Sequence, residues 1–201
     1  MYKILDKQHL NKDVDLMVVH APMVAKNAKP GHFIILRVDE EGERIPLTIA
    51  EIEGENVTII YQKLGYSTIK LGTLHIGDEI NDFVGPLGKE SHIRDVKKVL
   101  GIAGGVGAAP LLPQLREYAR RGVKVTLVIG ARSKEHIILL DKYKEFCDEI
   151  FVATDDGSAG TKGFVTDILT DLYKDRKFDH TIAIGPLVMM KFVVLLNKKH
   201  D

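Results

Sequence analysis

The amino-acid sequence predicts a β-rich first half followed by an α/β second half, and two observations support this fold class. Up to about residue 95, short apolar runs alternate with frequent turn residues, a pattern typical of a small barrel or sandwich. From about residue 96, strands alternate with helical patterns, as in βαβ units around a doubly wound parallel sheet. We therefore predict two domains, residues 1–95 and 96–201.

The first half takes its strands from apolar and β-branched runs. The runs predict strands at residues 2–5, 14–19, 33–38 and 57–61, and only a short helical turn is expected, near residues 68–71. Turns rich in glycine, proline or asparagine separate the runs, at residues 29–31, 53–56, 77–78 and 85–88.

The second half contains four strand–helix pairs. Strands are predicted at residues 99–103, 123–129, 149–153 and 180–184, and helices at 111–121, 134–146, 164–173 and 187–197. Such sheets bind ligands beyond the carboxyl ends of their strands, near the point where the strand order reverses. The glycine-containing turns after the first, third and fourth strands are therefore the predicted site.

Composition excludes several functional classes. The 28 Lys and Arg residues balance 28 Asp and Glu residues, which argues against a nucleic-acid binder or a polybasic membrane anchor. No apolar run approaches the roughly 20 residues of a membrane helix, and the amino terminus lacks a signal-peptide core. Cys147 is the single cysteine and the histidines are scattered without metal-ligand spacing. We predict a cytoplasmic protein with no membrane, nucleic-acid or metal site.

The segment K-V-L-G-I-A-G-G-V-G-A-A-P, residues 98–110, combines a buried strand, a glycine-rich turn and a helix start. Glycines allow positive φ and close approach of a ligand, and the amides of a helix N-terminus attract an anion. Gly104, Gly105 and Gly107 therefore predict a phosphate cradle. A tight turn without a ligand is the alternative, and the absence of a following lysine argues against a nucleoside triphosphatase.

Two stretches of the first half suggest a second anion site. Arg44, Pro46 and Thr48 alternate along an extended segment and should share a face, where the guanidinium suits a phosphate and the hydroxyl suits a ring nitrogen. The alternative is an exposed arginine and threonine on a sheet. Residues 61–71 join a strand end, Gly65, hydroxyls and a helical turn, and their alternative is a helix cap at Ser67 or Thr68.

In chain order these pieces resemble the ferredoxin–NADP reductase superfamily. The motifs are R-x-P-L-T, G-x-S-T, G-P-L-G, G-G-V-G-A-A-P, D-D-G-S-x-G and G-P. Within the superfamily, the similarity is greatest to the electron-transfer subunit of dihydroorotate dehydrogenase and the small subunit of NADH-dependent ferredoxin:NADP oxidoreductase. The resemblance implies a six-stranded antiparallel barrel that binds FAD, followed by a domain that binds NAD(P)H.

The resemblance also implies roles for individual residues. Arg44 would bind the FAD pyrophosphate from one side, and Gly65, Ser67 and Thr68 would bind it from the other. The isoalloxazine would be lined by Pro46, Leu47 and Thr48. Thr48 would lie beside the reactive N5 and is the catalytic candidate. The nicotinamide dinucleotide would be held by Gly104, Gly105, Gly107, Asp155, Asp156, Gly157, Gly185 and Pro186. Arg132 follows the second strand of the second half, where a basic side chain suits a 2′-phosphate; the alternative is a solvated loop arginine. The resemblance favours NAD over NADP, because the most similar family members use NAD.

Two departures from the family pattern are visible. Many relatives have cysteine where this chain has Ile184, which removes a thiol near the nicotinamide. Full-length relatives are expected to continue into a [2Fe–2S] segment with four cysteines, whereas this sequence carries Cys147 alone. We therefore expect no cluster on these 201 residues, whether the chain is truncated, cleaved or naturally short.

The expected activity is that of an NAD(P)H-dependent flavoprotein oxidoreductase. Hydride would pass from NAD(P)H to FAD, and electrons would leave for an iron–sulfur acceptor such as a ferredoxin or for a larger catalytic subunit. The alternatives are a regulatory FAD- and NAD-binding subunit without turnover, an NAD-binding sensor without flavin, and a stand-alone flavin reductase.

Overall fold

A computed structural model describes residues 2–200 of the chain. The chain divides into two compact units, Met1–His92 and Ile93–Asp201. Among residues 2–200, no helix is long and apolar enough to cross a membrane.

The first unit is a single antiparallel sheet of short strands. Its strands are β1 (Tyr2–His9), β2 (Val14–His20), β3 (Phe33–Arg37), β4 (Ile45–Glu53), β5 (Asn56–Gln62), β6 (Glu79–Ile80) and β7 (Asp82–Leu87). Two short helices, α1 (Pro22–Ala25) and α2 (Tyr66–Leu71), connect them. The strands β1, β2, β3 and β5 match the four runs predicted as strands, and β4 contains most of the predicted extended segment.

The sheet closes on itself through its last segment. The strand order is β6-β1-β2-β5-β4-β3-β7, and only Asn81 separates β6 from β7 along the chain. The stretch 79–87 is therefore one bent strand, which pairs with β1 at its start and with β3 over the rest. Counted in this way, the sheet is a six-stranded antiparallel barrel with Greek-key connections, which confirms the predicted barrel.

Alternation along the strands fills the barrel. In β2 and β5, the opposed pairs Met17–Ile59 and Val19–Val57 point inward and are fully buried. β4 follows the same rule, since Ile45 and Leu47 pack against this core whereas the side chain of Pro46 is exposed. Pro46 and Thr48 therefore lie on the face of β4 opposite the core, as predicted, whereas Arg44 precedes the strand.

The second unit is a parallel sheet flanked by helices. Its strands are β8 (Lys98–Gly104), β9 (Lys124–Ala131), β10 (Glu149–Thr154), β11 (Thr161–Lys162) and β12 (His180–Ile184), in the order β11-β10-β9-β8-β12. Its helices are α3 (Ala108–Arg120), α4 (Leu140–Lys144), α5 (Val165–Asp175) and α6 (Leu187–His200). Strand order reverses at β8, between β9 and β12, which confirms the doubly wound sheet.

One predicted helix is wrong. The sequence predicts a continuous helix over residues 134–146, but the structure has a 3₁₀ turn at Lys134–His136 and then α4. Leu139 breaks the helix because its backbone is left-handed, with φ of 63°. Ile138 and Leu139 are both buried, so the local backbone strain accompanies the burial of two adjacent apolar side chains.

Candidate functional site

β4 presents two of its predicted functional residues, Pro46 and Thr48, on one face. Thr48 lies opposite Phe33 of β3, and Pro46 lies opposite Ile35. Among residues 2–200, the hydroxyl of Thr48 has no hydrogen-bond partner, so it is available to a ligand. Leu47 differs, because its side chain packs against the barrel core and leaves only its backbone for the opposite face.

The two stretches that the sequence suggested as an anion site lie together. The loop of residues 38–44, between β3 and β4, is tied to α2 twice. Lys70 forms an ion pair with Asp39, and the Ser67 hydroxyl donates to Glu43 Oε2 at 3.2 Å. Because Arg44 follows Glu43 directly, these contacts bring the Arg44 segment and the Gly65 turn into one neighbourhood.

The ion pair between Asp39 and Lys70 is also visible in the protonation equilibria. The hydrogen bond from Lys70 holds the pKa of the Asp39 carboxyl below its ordinary value. The same bond raises the pKa of the Lys70 ammonium. Both groups therefore stay charged at neutral pH, and the loop remains tied to α2.

Arg44 is the most exposed of the candidate anion ligands. Its side chain is 62% exposed, and its Nη2 donates to Asp82 Oδ2 at 3.2 Å. Among residues 2–200 this is the one hydrogen bond that the guanidinium makes, although it has five N–H donors. The remaining donors leave room for a bidentate contact with a phosphate.

The hydroxyls near Gly65 have other partners in this structure. Thr68 Oγ1 accepts from the amides of Leu64 and Gly65, each at 3.1 Å, and donates to the Gly65 carbonyl at 3.0 Å. Its one proton and both lone pairs are in use, which corresponds to the capping alternative. Around Gly65 itself, no atom lies within 4 Å of the position a Cβ would take, so this backbone is open to close approach.

In the second unit, the turns after β8 and β12 pack against each other. A Cβ at Gly107 would lie 2.3 Å from the Ile184 carbonyl oxygen, and one at Gly104 would lie 2.6 Å from Met189 Sδ. A Cβ at Gly185 would meet Gly104 Cα at 3.0 Å. The glycines of both turns are therefore required for this contact at the point of strand-order reversal.

Gly105 differs from the glycines beside it. Its φ is 54°, and no atom lies within 4 Å of its Cβ position. The 3₁₀ turn Gly105–Gly107 then leads directly into α3, whose N-terminus has no side-chain cap. The helix begins at Ala108, three residues before its predicted start, so its first amides lie at the glycine turn.

The turns after β9 and β10 are joined by hydrogen bonds. The amides of Asp155 and Asp156 donate to the Ala131 and Arg132 carbonyls at 3.1 and 3.3 Å, and the Lys134 amide donates to Ser158 Oγ at 2.7 Å. Asp156 Oδ1 accepts from the amide and the hydroxyl of Ser158, which lowers the pKa of that carboxyl.

Part of the acidic turn after β10 therefore serves to stabilise the turn itself. Asp156 holds its own turn, while Asp155 and Arg132 extend exposed side chains that lack hydrogen-bond or ion-pair partners among residues 2–200. Gly157 has φ of 78°, which the turn requires. Sequence reasoning missed the contributions of Ser158 and Thr154, whose hydroxyl bridges the turn to Ala159.

Cys147 takes no part in these arrangements. Burial raises the pKa of the Cys147 thiol to about 12, so it stays protonated and unreactive at neutral pH. Within residues 2–200, no group of three or more His, Cys, Asp or Glu side chains is arranged to hold a metal ion.

The residues present fit two dinucleotide cofactors. On the first unit, the unused donors of Arg44, the open backbone at Gly65 and the unpartnered Thr48 hydroxyl suit a pyrophosphate and a ring system. On the second unit, the open Gly105 and the uncapped start of α3 lie at the strand-order reversal, where dinucleotides bind in such sheets.

Comparisons with known proteins agree with this geometry. The family model of the oxidoreductase NAD-binding domain matches residues 102–194. A Thermotoga maritima protein, named dihydroorotate dehydrogenase B (NAD(+)) electron transfer subunit homolog, is 43% identical over 195 residues, covering 96% of this chain and 69% of the relative. The corresponding subunit of Fusobacterium nucleatum is 36% identical over 193 residues, with 91% and 74% covered.

A solved structure shows the same architecture over almost the whole chain. A chain of the NADH-dependent reduced ferredoxin-NADP oxidoreductase, studied for flavin-based electron bifurcation, matches with a TM-score of 0.92 and 40% identity, covering 98% of this chain and 72% of that one. The Plasmodium falciparum ferredoxin-NADP+ reductase has the same fold, with a TM-score of 0.78 at 18% identity and with 100% and 90% covered.

The barrel, the doubly wound sheet and these matches define a ferredoxin-reductase-like flavoprotein oxidoreductase with an NAD-binding domain. Within this class, the chain belongs to the family of the electron transfer subunits of dihydroorotate dehydrogenase B. The class binds FAD and NAD(P), and members of the family are subunits of larger oxidoreductases. The resemblance read from the sequence motifs is thereby confirmed.

Proposed function

We propose that this chain is an NADH-dependent reductase module that binds FAD on the first unit and the nicotinamide cofactor on the second. When bound, the two cofactors supply the redox chemistry, a hydride transfer to the flavin. The protein's own residues bind the cofactors, orient them and exclude water.

The observation that carries the proposal is the joining of the Arg44 segment to the Gly65 turn. The contacts Asp39–Lys70 and Glu43–Ser67 bring together an exposed arginine and an open glycine backbone. Arg44 would bind the FAD pyrophosphate from one side, and Gly65 with Ser67 would bind it from the other. Thr68 would support that turn through its capping bonds rather than by direct contact.

Thr48 is proposed to donate a hydrogen bond to the flavin N5. Its hydroxyl has no partner among residues 2–200, and its side chain lies on the same face of β4 as Pro46. Pro46 would support the ring system with an exposed apolar surface, and Leu47 would contribute through its backbone. A hydroxyl donor at this atom favours added electron density on the ring.

On the second unit, the glycine turns are proposed to hold NADH. Gly105 would accept close approach of the dinucleotide, while Gly104, Gly107, Gly185 and Pro186 keep the two turns in contact. Asp155, Asp156 and Gly157 would border the ribose side. NAD is favoured because the relatives in the family carry NAD(+) in their names, although Arg132 is exposed and basic.

The electrons are proposed to leave for an iron–sulfur acceptor on a larger partner subunit. The relatives are electron transfer subunits, and the matched solved structure is named for ferredoxin and NADP. Copurification of a larger subunit with a tagged form of this chain is the expected result.

The first test is the visible absorbance spectrum of the purified protein, before and after anaerobic NADH. Flavin bands that bleach with NADH support both cofactor sites, and NADPH run in parallel decides between the two nicotinamide cofactors. Bands that NADH and NADPH both leave unchanged support a regulatory subunit. A colourless protein that does not take up added FAD overturns the assignment of residues 44–48.

Thr48→Val tests the hydroxyl separately. Valine keeps the shape and removes the donor, so FAD should still bind while bleaching by NADH slows by about tenfold. Unchanged flavin binding together with an unchanged bleaching rate would show that Thr48 has no role at N5.

A further inference from the structure

We infer that Asp82 is a positioning residue for the flavin cofactor, because its carboxylate holds the Arg44 guanidinium in the orientation that meets the pyrophosphate. This inference rests on the proposed function of Arg44. Asp82 belongs to none of the motifs in the sequence, and it lies 38 residues from Arg44 along the chain.

The Asp82 carboxylate is itself fixed from two sides. Asp82 begins β7 directly opposite Arg37 of β3, and Arg37 Nε donates to Asp82 Oδ2 at 2.7 Å. Asn81 Nδ2 donates to the other oxygen, Oδ1, at 3.1 Å. Arg37 is anchored in turn, since its Nη1 donates to the Glu40 carbonyl at 2.9 Å. The carboxylate therefore has a defined position on two paired strands.

Arg44 lacks such anchoring of its own. It lies at the end of the loop 38–44, outside any strand, and its side chain is 62% exposed, against 21% for Arg37. Within residues 2–200 its one hydrogen bond, 3.2 Å from Nη2 to Asp82 Oδ2, joins this exposed side chain to the fixed carboxylate. Arg37 and Arg44 thus both donate to Asp82 Oδ2. Arg37 belongs to the sheet, whereas Arg44 keeps most of its N–H donors available for a ligand.

The two arginines have different consequences for ligand binding. A free arginine loses side-chain entropy when it binds a phosphate, and a partner that restricts it beforehand reduces this loss. Asp82 can supply this restriction without using the donors that face the ligand, because it occupies one N–H of five. The cost is a negative charge close to the bound pyrophosphate.

Because the Asp82 charge would repel the pyrophosphate, the direction in which Asp82→Asn changes FAD affinity tests the inference. If Asp82 acted only through its charge, Asp82→Asn would remove a repulsion and tighten FAD binding. If Asp82 positions Arg44, the same substitution weakens FAD binding. The two accounts predict changes in opposite directions for the same variant.

The experiment measures the dissociation constant of FAD by fluorescence quenching on flavin-depleted protein, in a double-mutant cycle. Arg44→Ala should weaken FAD binding by about tenfold or more. Asp82→Asn should weaken it by about fivefold when Arg44 is present but should not weaken it when Arg44 is alanine, because only the repulsion between Asp82 and the pyrophosphate is then removed. Asp82→Glu, which keeps the charge, should recover most of the affinity. Asp78→Asn, a change at an exposed aspartate bonded to the His75 amide, is the matched control.

Each outcome decides a separate point. If Arg44→Ala leaves FAD affinity unchanged, the proposed function of Arg44 is wrong and the inference falls with it. If Arg44→Ala weakens binding but Asp82→Asn tightens it or leaves it unchanged, only the role of Asp82 is wrong. An equal effect of Asp82→Asn in both backgrounds means that it acts through the barrel, and that also overturns the inference.

A further variant separates a purely structural role of Asp82 from a role in positioning Arg44. Arg37→Gln removes the ion pair between the Arg37 and Asp82 side chains, while Asp82, Arg44 and the backbone pairing of β3 with β7 remain. Thermal melts should show similar destabilisation for Arg37→Gln and Asp82→Asn, but FAD affinity should fall less for Arg37→Gln, because Asn81 still holds the Asp82 carboxylate and Arg44 keeps its acceptor. If the loss of FAD affinity parallels the loss of thermal stability across all the variants, Asp82 acts through the fold and does not position Arg44. If Asp82→Asn does not fold, the FAD affinity and thermal stability of Asp82→Glu are compared with those of the unmodified protein instead.

Discussion

The two candidate sites of this chain are built from different materials. On the barrel, the site consists of charged and hydroxyl side chains from a loop and a short helix, with Arg44, Glu43 and Ser67 at its centre. On the parallel sheet, it consists mainly of backbone, since Gly104, Gly107 and Gly185 allow the turns to pack closely and Gly105 lies open. The proposed barrel site would recognise its ligand through charge, and the proposed sheet site would recognise its ligand through close approach to the backbone.

This difference determines how each site should fail. A site made of side-chain charges is tuned by single charges and is screened by salt. A site made of close backbone contacts tolerates charge changes nearby but not an added methyl group. Substitutions can therefore test whether the division between the two sites is real.

The largest effect is expected for Gly107→Ala on the sheet. The new Cβ would lie 2.3 Å from the Ile184 carbonyl oxygen and 3.0 Å from Gly185 Cα, so backbone must move. We expect a loss of about 3 kcal/mol in the free energy of unfolding of the second unit, together with loss of NADH binding. Urea unfolding followed by circular dichroism measures the first, and a change below about 0.5 kcal/mol would contradict the close contact.

A smaller effect is expected for Gly105→Ala in the same turn. Alanine at φ of 54° costs about 1 kcal/mol, but no atom lies within 4 Å of its Cβ, so the fold should survive. If NADH approaches this backbone, its affinity should fall by about tenfold, measured by titration calorimetry. FAD affinity serves as the internal control and should not change. An unchanged NADH affinity would remove Gly105 from the cofactor site.

The contrast between these two glycines marks the limit of prediction from sequence. The glycine-rich turn, the strand–helix alternation and the two-domain organisation follow from local pattern, and the alternation of Arg44, Pro46 and Thr48 follows from the strand period. Which glycine is packed and which is open depends on the turn after β12, some 80 residues away, and no local pattern reports it. The broken helix at Leu139 was missed for the same reason, since burial rather than propensity decides it.

On the barrel, the partners of the charged and hydroxyl side chains could not be predicted from the sequence. The motifs identified Arg44 and Ser67, but the partners Asp82 and Glu43 become visible only when strand register and loop packing are known. Contacts across 38 and 24 residues are tertiary, and carboxylates at such positions have no signature of their own in the sequence.

A third, weaker effect is expected for Glu43→Gln on the barrel. Its carboxylate accepts from the Ser67 hydroxyl at 3.2 Å and adds a negative charge where the pyrophosphate is proposed to bind. Glutamine keeps an acceptor and removes the charge, so FAD should bind about threefold more tightly at low salt and equally at high salt. Glu55→Gln, at an exposed position paired with His20, is the control. Weaker binding would mean that Glu43 supports the site rather than opposing the ligand.

The smallest and most specific effect concerns one carboxylate at each site. Hydrogen bonding lowers the pKa of both Asp39 and Asp156, through the Lys70 ammonium on the barrel and through the Ser158 hydroxyl and amide on the sheet. Each contact is complete above the ordinary carboxyl pKa of 3.8 and is lost as the pH falls through the lowered value. Only the first involves a charged partner. Raising the salt concentration should therefore move the pKa of Asp39 upward and leave that of Asp156 in place, as followed by carbon NMR of the two carboxyl groups. Lys70→Gln should abolish the salt response of Asp39, and equal responses at both residues would show that the two sites do not differ in the way their structures indicate.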